Sequence, residues 1–432
     1  MKNLIIIFVL ILSFTTLFGQ EQVDSIYTYK KLNKSLSFAQ LTIGGDVSGV
    51  AGGTIKQNDK TQSFGLTAQP RFTIGGMHFW GHADFYVSFP LGVHLQGKND
   101  FSNKFKNIEG VETGLKIYPL ALRPNRISPY VGISFQRQLF GYQVIGKNYK
   151  EGFAKQETFV TPVQLGLTYT TKKYLFTAGL RYNWKTKFDY YESPTQKSEV
   201  NMSPLNFSIG ILRYFDTDKN MGTPKSVEQQ NIKYHLLKKA NKLSAWYCGI
   251  GPSTALQMSK SPFFEKKYPF LHQDMTNSFI LPDVTFGRYF SKIDLNIGLA
   301  ARTMFFKMGA FDTNIKMNRN VISLESYKFL FDYHGFVPFV GPMLSVENLN
   351  VNDNGVKTST TKPALGIVFG WDIRVTKTGT NLLRTNLRYT PKLNLNVADE
   401  KVMFDHLEFN FIQMVHFFGR GKVYAAHRNK KK

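Results

Sequence analysis

The chain has 432 residues, of which 42% are hydrophobic and 15% aromatic, and its formal net charge is +24. A mean hydropathy of −0.23 excludes a bundle of membrane helices. The 38 Phe, 21 Tyr and 35 Gly are instead typical of a chain with many strands and turns. A basic excess can indicate nucleic-acid binding, but the export signal and strand patterns that follow favour an anionic envelope surface and no nucleic acid.

The N-terminus has the three-part pattern of a secretory signal peptide. Lys2 precedes an unbroken apolar run over 4–12, and Gly19 offers a small residue near a cleavage point. The run is shorter than the ~20 residues that a membrane-spanning helix needs. The sequence therefore predicts a signal peptide over 1–20 and an N-terminal periplasmic segment over 21–36.

Residues 174–185 show the alternation that a membrane-crossing strand requires. Alternate positions from Tyr174 to Trp184 are apolar in the middle and aromatic at both ends, while the opposite face carries Arg181 and Asn183. The same split recurs over 79–89, 292–305 and 406–417, although Gln413 interrupts the apolar face of the last segment. This pattern predicts strands with one face in lipid.

The gaps between strands are sorted by length. Short gaps fall near 75–76, 172–173, 290, 334–335 and 376–379. Long polar gaps fall near 49–62, 90–107, 140–157, 187–201, 259–275 and 305–321. Short turns on one side and long loops on the other are the mark of a transmembrane antiparallel β-barrel and not of a soluble sandwich. The fold class predicted is therefore all-β.

The strands divide into two blocks of about eight, over 37–215 and 243–418. Four short motifs of the first block recur in the same order in the second. Pro70–Gly75 resembles Pro282–Gly287, Pro129–Gly132 resembles Pro338–Gly341, Leu180–Tyr182 recurs as Leu387–Tyr389, and Leu205-x-Phe207 recurs as Leu407-x-Phe409. These matches predict an internal duplication, and the even strand count places both termini in the periplasm.

Between the blocks, residues 216–242 have a different character. Ser226 with Gln229 resembles a helix start, and Ile232, Leu236 and Leu237 follow at helical spacing among lysines. We predict a short helical periplasmic linker. A basic periplasmic tail is predicted over 419–432.

Two architectures follow from this count. One barrel of about 16 strands would be wide enough for a water-filled lumen, and one closed sheet per chain is the common solution. The alternative is two tandem 8-stranded barrels whose interiors are filled by side chains. We prefer the single wide barrel, although the linker favours the tandem pair.

The signal peptide ending in Phe-Gly-Gln, the Gly-rich segment Thr42–Asp46 and the segment Phe207–Phe215 resemble outer-membrane β-barrel proteins of the Bacteroidota. The resemblance covers most of the mature chain and implies location in the cell outer membrane. The strand ending at Phe417-Phe418 resembles the signal that the barrel-assembly machinery reads, although this chain adds a basic tail.

Charged and amide side chains on the non-lipid faces are candidates for lining a lumen. They are His82, Asp84, Glu112, Lys116, Arg181, Asn183, Asp294, Arg302, Arg384, Arg388 and Glu408. In a wide barrel their arginines would give a modest anion preference. In a narrow barrel the same charges would have to pair into a network that plugs the interior.

Neither an enzyme nor a cofactor or metal site is predicted. His82 with Asp84, and His406 with Glu408, share strand faces, but side chains at i and i+2 are about 7 Å apart. No motif around any Ser supports a nucleophile. The preferred function is a porin-like channel for small solutes. The alternative is a non-conducting envelope or secretion-apparatus component that binds partners through its loops and linker. Expected partners are outer-membrane lipid and lipopolysaccharide, the assembly machinery, and peptidoglycan or periplasmic proteins.

Overall fold

The computed structural model describes residues 36–429, apart from 58–59, 98–103, 144–147, 218–222, 258–260, 272–280, 375, 377, 392, 398–399 and 404–405. The predicted signal peptide and most of the segment 21–36 lie outside the described residues. Within them the chain is almost entirely strand, and its strands form two separate closed barrels.

The first half of the chain contains fourteen strands. They are β1 (Gln40–Val50), β2 (Gly53–Gln57), β3 (Lys60–Phe64), β4 (Thr67–His78), β5 (Ala83–Pro90), β6 (Leu95–Gln96), β7 (Lys104–Ile117), β8 (Arg126–Gln143), β9 (Lys155–Val160), β10 (Val163–Thr170), β11 (Tyr174–Tyr182), β12 (Lys187–Tyr191), β13 (Lys197–Met202) and β14 (Leu205–Asp216). Eight of them, β1, β4, β5, β7, β8, β10, β11 and β14, pair in antiparallel order. Because β1 pairs with both β14 and β4, this sheet closes into the first barrel.

The second half contains ten strands. They are β15 (Ala245–Gln257), β16 (Leu281–Phe290), β17 (Leu295–Ala310), β18 (Thr313–Phe329), β19 (Phe336–Asp353), β20 (Val356–Ile373), β21 (Asn381–Thr390), β22 (Asn394–Val397), β23 (Glu400–Met403) and β24 (His406–Phe417). Strands β15 to β21 and β24 form the second closed barrel, in which β15 pairs with β24. The count of eight strands per block is confirmed.

The preferred single barrel of about 16 strands is not what the chain forms, and the tandem alternative is observed. The physical reason is edge pairing. In each block the first strand finds its partner in the last strand of the same block, so neither block offers an open edge to the other.

The four repeated motifs fall on equivalent strands of the two barrels. The Pro70 and Pro282 motifs lie on the second barrel strand, and the Pro129 and Pro338 motifs on the fifth. The Leu-Arg-Tyr motifs lie on the seventh strand, and the Leu-x-Phe motifs on the eighth. The two blocks therefore match strand by strand as well as in sequence.

Both barrels have the same two ends, which we call lower and upper. The lower end carries the first and last residues of each barrel and the turns 79–82, 118–125, 171–173, 291–294, 330–335 and 374–380. The upper end carries the longer connections. Three upper connections differ from expectation, because the polar segments 49–62, 187–201 and 305–321 contain strands. The first two contribute β2, β3, β12 and β13, which form a small four-stranded sheet, and the third is a long hairpin of β17 and β18 that turns at Phe311 and Asp312.

Strand β24 also differs in one respect from simple alternation. Its pairing with β15 and with β21 shifts register near its middle, which marks a β-bulge. Below the bulge, Gln413, Val415 and Phe417 are buried, while Ile412 and Met414 are exposed. Val415 and Phe417 were expected on the lipid face, and the bulge is the reason that they face inward.

The outer and inner faces of the barrels have opposite polarity. Outward side chains of the first barrel such as Leu180 and Ile209 are 56% and 62% exposed, whereas inward Arg181 is 3% exposed. Outward apolar and inward polar side chains are the reverse of a soluble barrel and are what a transmembrane barrel requires.

The two barrels touch at both ends. At the upper junction, the backbone amide of Glu151 donates to the carbonyl of Phe311 at 2.8 Å. The backbone amide of Phe311 donates to the carbonyl of Gly152 at 2.6 Å. Buried apolar side chains from both halves form one upper apolar cluster around this point. Its members include Ile55, Phe64, Phe140, Tyr190, Val200, Phe263, Phe264, Phe306, Phe311 and Met317.

The lower junction is aromatic. The ring centroid of Phe38 lies 5.2 Å from that of His334, and Trp80 lies 4.9 Å from the same His334 ring. Higher on the walls, Phe85 of the first barrel lies 5.6 Å from Trp371 of the second. The barrels therefore stand side by side and in contact along one wall.

Three helices complete the described chain: α1 (Pro224–Lys239) between the barrels, α2 (Pro262–Lys267) in an upper connection, and α3 (Arg420–Asn429) after the last strand. Helix α3 closes the lower end of the second barrel. The Arg420 guanidinium donates to the carbonyls of Gly379 and Leu243 at 2.8 and 2.9 Å. The Lys233 ammonium of α1 lies 5.4 Å from the Tyr424 ring of α3, so the two basic helices meet below the barrel.

Candidate functional site: the barrel interiors

Eight of the eleven predicted lumen residues are buried on barrel strands: Asp84, Glu112, Lys116 and Arg181 in the first barrel, and Arg302, Arg384, Arg388 and Glu408 in the second. Asn183 is buried directly after the upper end of β11, which ends at Tyr182. The other two lie in lower turns, because β5 begins at Ala83 and β17 at Leu295. His82 is exposed there, with its Nδ1 2.9 Å from the Tyr118 carbonyl. Asp294 takes a left-handed turn conformation and accepts from the Tyr289 hydroxyl.

Arg181 is the centre of an ion-pair network in the first barrel. Its guanidinium lies 2.9 Å from carboxylate oxygens of both Glu109 and Glu112. Arg71 approaches the same Glu109 carboxylate at 3.7 Å and donates to the Ser88 hydroxyl at 2.8 Å. The two arginines and two carboxylates thus compensate one another within the barrel.

A second group of side chains completes this network. The Tyr86 hydroxyl donates to Glu112 at 2.6 Å, and the Gln164 amide donates to the same Oε1 at 2.9 Å. The Lys116 ammonium lies 4.7 Å from the centroid of the Tyr86 ring and 5.3 Å from that of Tyr130. Two carboxylates, four polar partners and the tyrosine rings leave little open space at this level.

A cavity inside the first barrel has a volume of about 30 Å³. Its lining includes Asp46, Tyr86, Glu112, Lys116 and Arg181. A cavity of this size holds on the order of one or two water molecules. Below it, Met77, Tyr118, Leu122, Leu175 and Leu212 form a buried apolar layer.

The second barrel has a larger network centred on Glu408. Its carboxylate pairs with the Arg302 guanidinium and lies 2.6 Å from that of Arg319. Arg319 lies 2.7 Å from Glu347 as well. Sequence reasoning missed Arg319, because it lies in the segment that was expected to be a loop.

Two further networks lie lower in the second barrel. Arg388 pairs with Asp283 and lies 2.6 Å from Glu325. Arg384 lies 2.6 Å from Asp372, whose other oxygen is 3.0 Å from Arg374. The described interior of this barrel therefore holds five arginines and five carboxylates, each in at least one ion pair.

The carboxylate partners in the second barrel were not among the predicted residues, except Glu408. Asp283 and Asp372 have apolar neighbours on both sides, and Glu325 and Glu347 each follow one, Leu324 and Val346, so an alternation test applied to every strand could have found them. Which arginine each one contacts depends on strand pairing and cannot be read from local sequence.

Aromatic side chains surround the lowest charges of this barrel, and the Arg374 guanidinium lies 4.3 Å from the Phe329 ring centroid. Tyr247, Tyr289, Tyr327, Phe329, Phe339 and Phe417 belong to one buried cluster at the lower end. Gly287 and Gly298 lie opposite each other in the β16–β17 pair, and a Cβ on either would lie 2.7 Å from the Tyr247 hydroxyl. The aromatic layer thus occupies the space that the two glycines leave.

His406 and Glu408, considered above as catalytic partners, are closer than the backbone spacing suggests. His406 Nε2 lies 3.1 Å from Glu408 Oε1 because both side chains bend toward Arg319. Both are buried within the ion-pair network and out of reach of solvent. Among the described residues, no group of three His, Cys, Asp or Glu side chains could hold a metal ion.

Outside the barrel walls, one charged pair stabilises the upper connections. The Lys267 ammonium of α2 donates to Asp353 at 2.7 Å, and the Tyr268 hydroxyl donates to the same carboxylate at 2.6 Å. The hydrogen bond to Asp353 raises the pKa of Lys267. This pair fastens α2 to the top of β19.

Of the helices in the described chain, none combines the length and the hydropathy that crossing a bilayer demands. No protein-family model and no curated protein sequence matches the chain.

Several solved structures are similar in part. Neisserial surface protein A is 16% identical over 40% of this chain and 99% of its own, with a TM-score of 0.30. The outer membrane protein OprG of Pseudomonas aeruginosa is 16% identical over 43% of this chain and 100% of its own, with a TM-score of 0.31. An outer membrane channel of Pseudomonas putida F1 is 9% identical over 90% of this chain and 98% of its own, with a TM-score of 0.22. Likeness at these values does not bear on what this chain does.

Proposed function

We propose that this protein is a non-conducting double barrel of the outer membrane. The two barrels would present their upper connections together outside the cell and the basic helices α1 and α3 in the periplasm. The observation that carries the proposal is the pairing of the interior arginines of each barrel with buried carboxylates. In a pore, charged side chains would face a water column, whereas here Arg181, Arg302, Arg384 and Arg388 all contact buried carboxylates. The same pairing removes the basis for the expected anion preference.

The proposed orientation follows from the two ends. The short turns and both ends of the described chain are at the lower end, which we place in the periplasm, and the long connections are at the upper end, which we place outside the cell. Helices α1 and α3 would then present their lysines and arginines to the periplasm. Peptidoglycan or an acidic periplasmic protein is the partner class that this charge favours.

We also propose that the two barrels arose by internal duplication. The support is that each pair of repeated motifs lies on the same-numbered strand of its barrel. The family expectation of a Bacteroidota-type protein, with lipopolysaccharide and the barrel-assembly machinery as partners, rests on the sequence resemblance and stays part of the proposal.

The experiment is reconstitution of the mature chain in planar bilayers at high protein density. We expect no stepwise ionic conductance, while the heat-dependent shift of its electrophoretic mobility shows that the inserted protein is folded. Stable conductance steps would contradict the proposal and support the porin-like alternative. In that case Arg181→Glu and Arg388→Glu should shift the reversal potential, because both side chains lie in the barrel interiors.

A further inference from the structure

The upper part of the second barrel has an outward sheet face that is rich in amide, hydroxyl and lysine side chains and takes no part in the interior ion-pair networks. Strands β17 to β20 extend beyond the apolar belt, and their outward side chains there are arranged in three rows across four strands. The strand register defines the rows as Thr303–Asn320–Asn348–Thr361, Phe305–Asn318–Asn350–Ser359 and Lys307–Lys316–Asn352–Lys357. We call this surface the amide–lysine face.

Hydrogen bonds between neighbouring strands hold the lowest row in place. The Thr303 hydroxyl donates to Asn320 at 2.8 Å, and the Asn348 amide donates to the Thr361 hydroxyl at 2.9 Å. From the row above, the Asn350 amide donates to Asn348 at 2.8 Å. Fixed amides and hydroxyls that can both donate and accept suit the hydroxyl groups of a saccharide.

The top row is positively charged. Lys316 and Lys357 are exposed and form no ion pair with any described residue, and Lys307 completes the row. A groove of about 510 Å³ runs over this face, and none of its described lining residues is acidic. Phe305 lies in the middle row with its side chain 40% exposed, which offers an apolar surface between the amides and the lysines. The face therefore complements an anionic ligand that has both hydroxyl groups and apolar surface.

The position of the face relative to the membrane limits what that ligand can be. On the same four strands, the outward residues immediately below are Ala301, Ile322, Val346 and Pro363, and below them lies the apolar belt with Leu299, Leu324, Leu344 and Leu365. At a rise of about 3.4 Å per residue along the strand, the lowest polar row lies about 7 Å above the Ala301 row and the lysine row about 20 Å above it. Because barrel strands are tilted by about 35–45°, the heights along the membrane normal are smaller, so the lowest row lies at the level of the lipid head groups and the lysine row above it.

We propose that the amide–lysine face binds the phosphorylated saccharide head group of a glycolipid in the surrounding outer leaflet, with the lysine row on phosphate and the amide rows on sugar hydroxyls. The acyl chains of that lipid would lie against Leu324 and Leu344 directly below. The inference rests on the proposed outward orientation of the upper end, but not on whether the barrels conduct.

The test measures binding of lipid A, a phosphorylated glucosamine disaccharide lipid, to the folded full-length protein in detergent. We expect the double variant Lys316→Glu/Lys357→Glu to weaken this binding by about tenfold or more, because two attractive charges become repulsive. The double variant Lys316→Arg/Lys357→Arg keeps the charge and should bind within about twofold of the parent. Asn352→Asp, which places a carboxylate among the lysines without a change of size, should weaken binding as well.

A matched control is Lys172→Glu/Lys173→Glu, which makes the same charge change in an exposed lower turn of the first barrel. It should leave lipid A binding unchanged. Equal loss in this control, or no loss in the Lys316→Glu/Lys357→Glu variant, would overturn the proposal. So would equal affinity for phosphatidylglycerol, which has the charge but no saccharide, or displacement of lipid A by millimolar inorganic phosphate.

Failure of this inference is distinguishable from failure of the proposed orientation. Protease added to intact cells should cleave the upper connections and spare α1 and α3 if the upper end is outside. Cleavage in that pattern, together with absent lipid A binding, would reject the glycolipid site and leave the orientation intact.

Discussion

Glu408 is the most connected buried carboxylate of the second barrel. It contacts Arg302, Arg319 and His406, and its side chain has no solvent exposure. Removing one member of a buried ion-pair network is strongly destabilising, because its partners stay charged and lose their compensation. Substitution of Glu408 therefore tests how far the buried positive and negative charges compensate one another.

We predict that Glu408→Gln lowers the free energy of unfolding by about 3–5 kcal/mol. Unfolding by urea in lipid vesicles, followed by tryptophan fluorescence, gives this value. The control is Asp189→Asn, which breaks an exposed pair with Lys197 at 2.8 Å and should cost less than about 1 kcal/mol. If Glu408→Gln lowers the free energy of unfolding no more than the control does, water reaches the network. The proposal of a closed interior would then be wrong.

At this scale alternation along the strands placed Arg181, Arg302, Arg384 and Arg388 on inward faces, because the face of a strand residue is decided locally, but Arg71, Arg319 and Arg374 were missed. Alternation did not predict the partners of these arginines. Arg388 meets Asp283 from β16 and Glu325 from β18, strands that are far from β21 in sequence. Such contacts depend on barrel closure, which no local pattern encodes.

At the scale of one element, β18 passes from lipid to water along a single face. Its outward residues change from Leu324 and Ile322 to Asn320, Asn318 and Lys316 within nine positions. Leu324 pairs in register with Leu299 on one side and Leu344 on the other, so it lies well inside the apolar belt.

We predict that Leu324→Arg lowers the free energy of unfolding in bilayers by about 2–4 kcal/mol, whereas Asn318→Arg costs about 0–1 kcal/mol, because the cost of a charge depends on its depth. The same urea titration in vesicles measures both. Equal costs at the two positions would mean that the belt does not end between them.

Strands β18 and β24 also mark the limit of what alternation predicts. The segment 305–321 was expected to be a loop because its outward residues are polar, yet Met304, Phe306, Ile315 and Met317 alternate with them and are buried in the upper apolar cluster. Where a strand extends beyond the membrane, its inward residues still alternate with its outward ones, but the outward residues are no longer apolar. In β24 the bulge adds a residue, and every later side chain changes face.

For the molecule as a whole, the upper junction holds two barrels in one arrangement. Phe311 is buried there, with its ring 4.8 Å from Tyr149 of the first barrel and 5.3 Å from Phe270 of the second. It occupies a turn with a φ of 57°, which is unfavourable for a bulky residue. The packing of the ring across the junction offsets this conformational cost.

We predict that Phe311→Ala destabilises the junction by about 3–5 kcal/mol while both barrels stay folded. Trypsin cleavage after exposed Lys150, in the segment that docks on Phe311, should become at least tenfold faster. Phe72→Ala, which truncates an exposed aromatic residue on the wall of the first barrel, is the control and should leave the cleavage rate unchanged. An unchanged rate in Phe311→Ala would mean that the barrels are held elsewhere.

The number of barrel strands, the two blocks and the polarity of the walls could be predicted from the sequence, because each depends on period and order along the chain. The number of barrels could not. The number of barrels depends on whether β14 pairs with β1 or with β15. Local sequence does not decide between these two edge strands. The helix between the blocks was a local sign of two barrels, since neighbouring strands of one sheet need only a short turn, and so was the aromatic end of the first block's last strand at Tyr214 and Phe215.

The closure of each barrel has a consequence for how the protein is made. The two seams, Gln40↔Asp216 and Tyr247↔Phe417, each join the first strand of a block to its last. Because a seam forms only when its final strand is present, one polypeptide must be closed twice during membrane insertion. The contact between Phe85 and Trp371 joins the walls of both barrels, so its native geometry requires that both seams be closed.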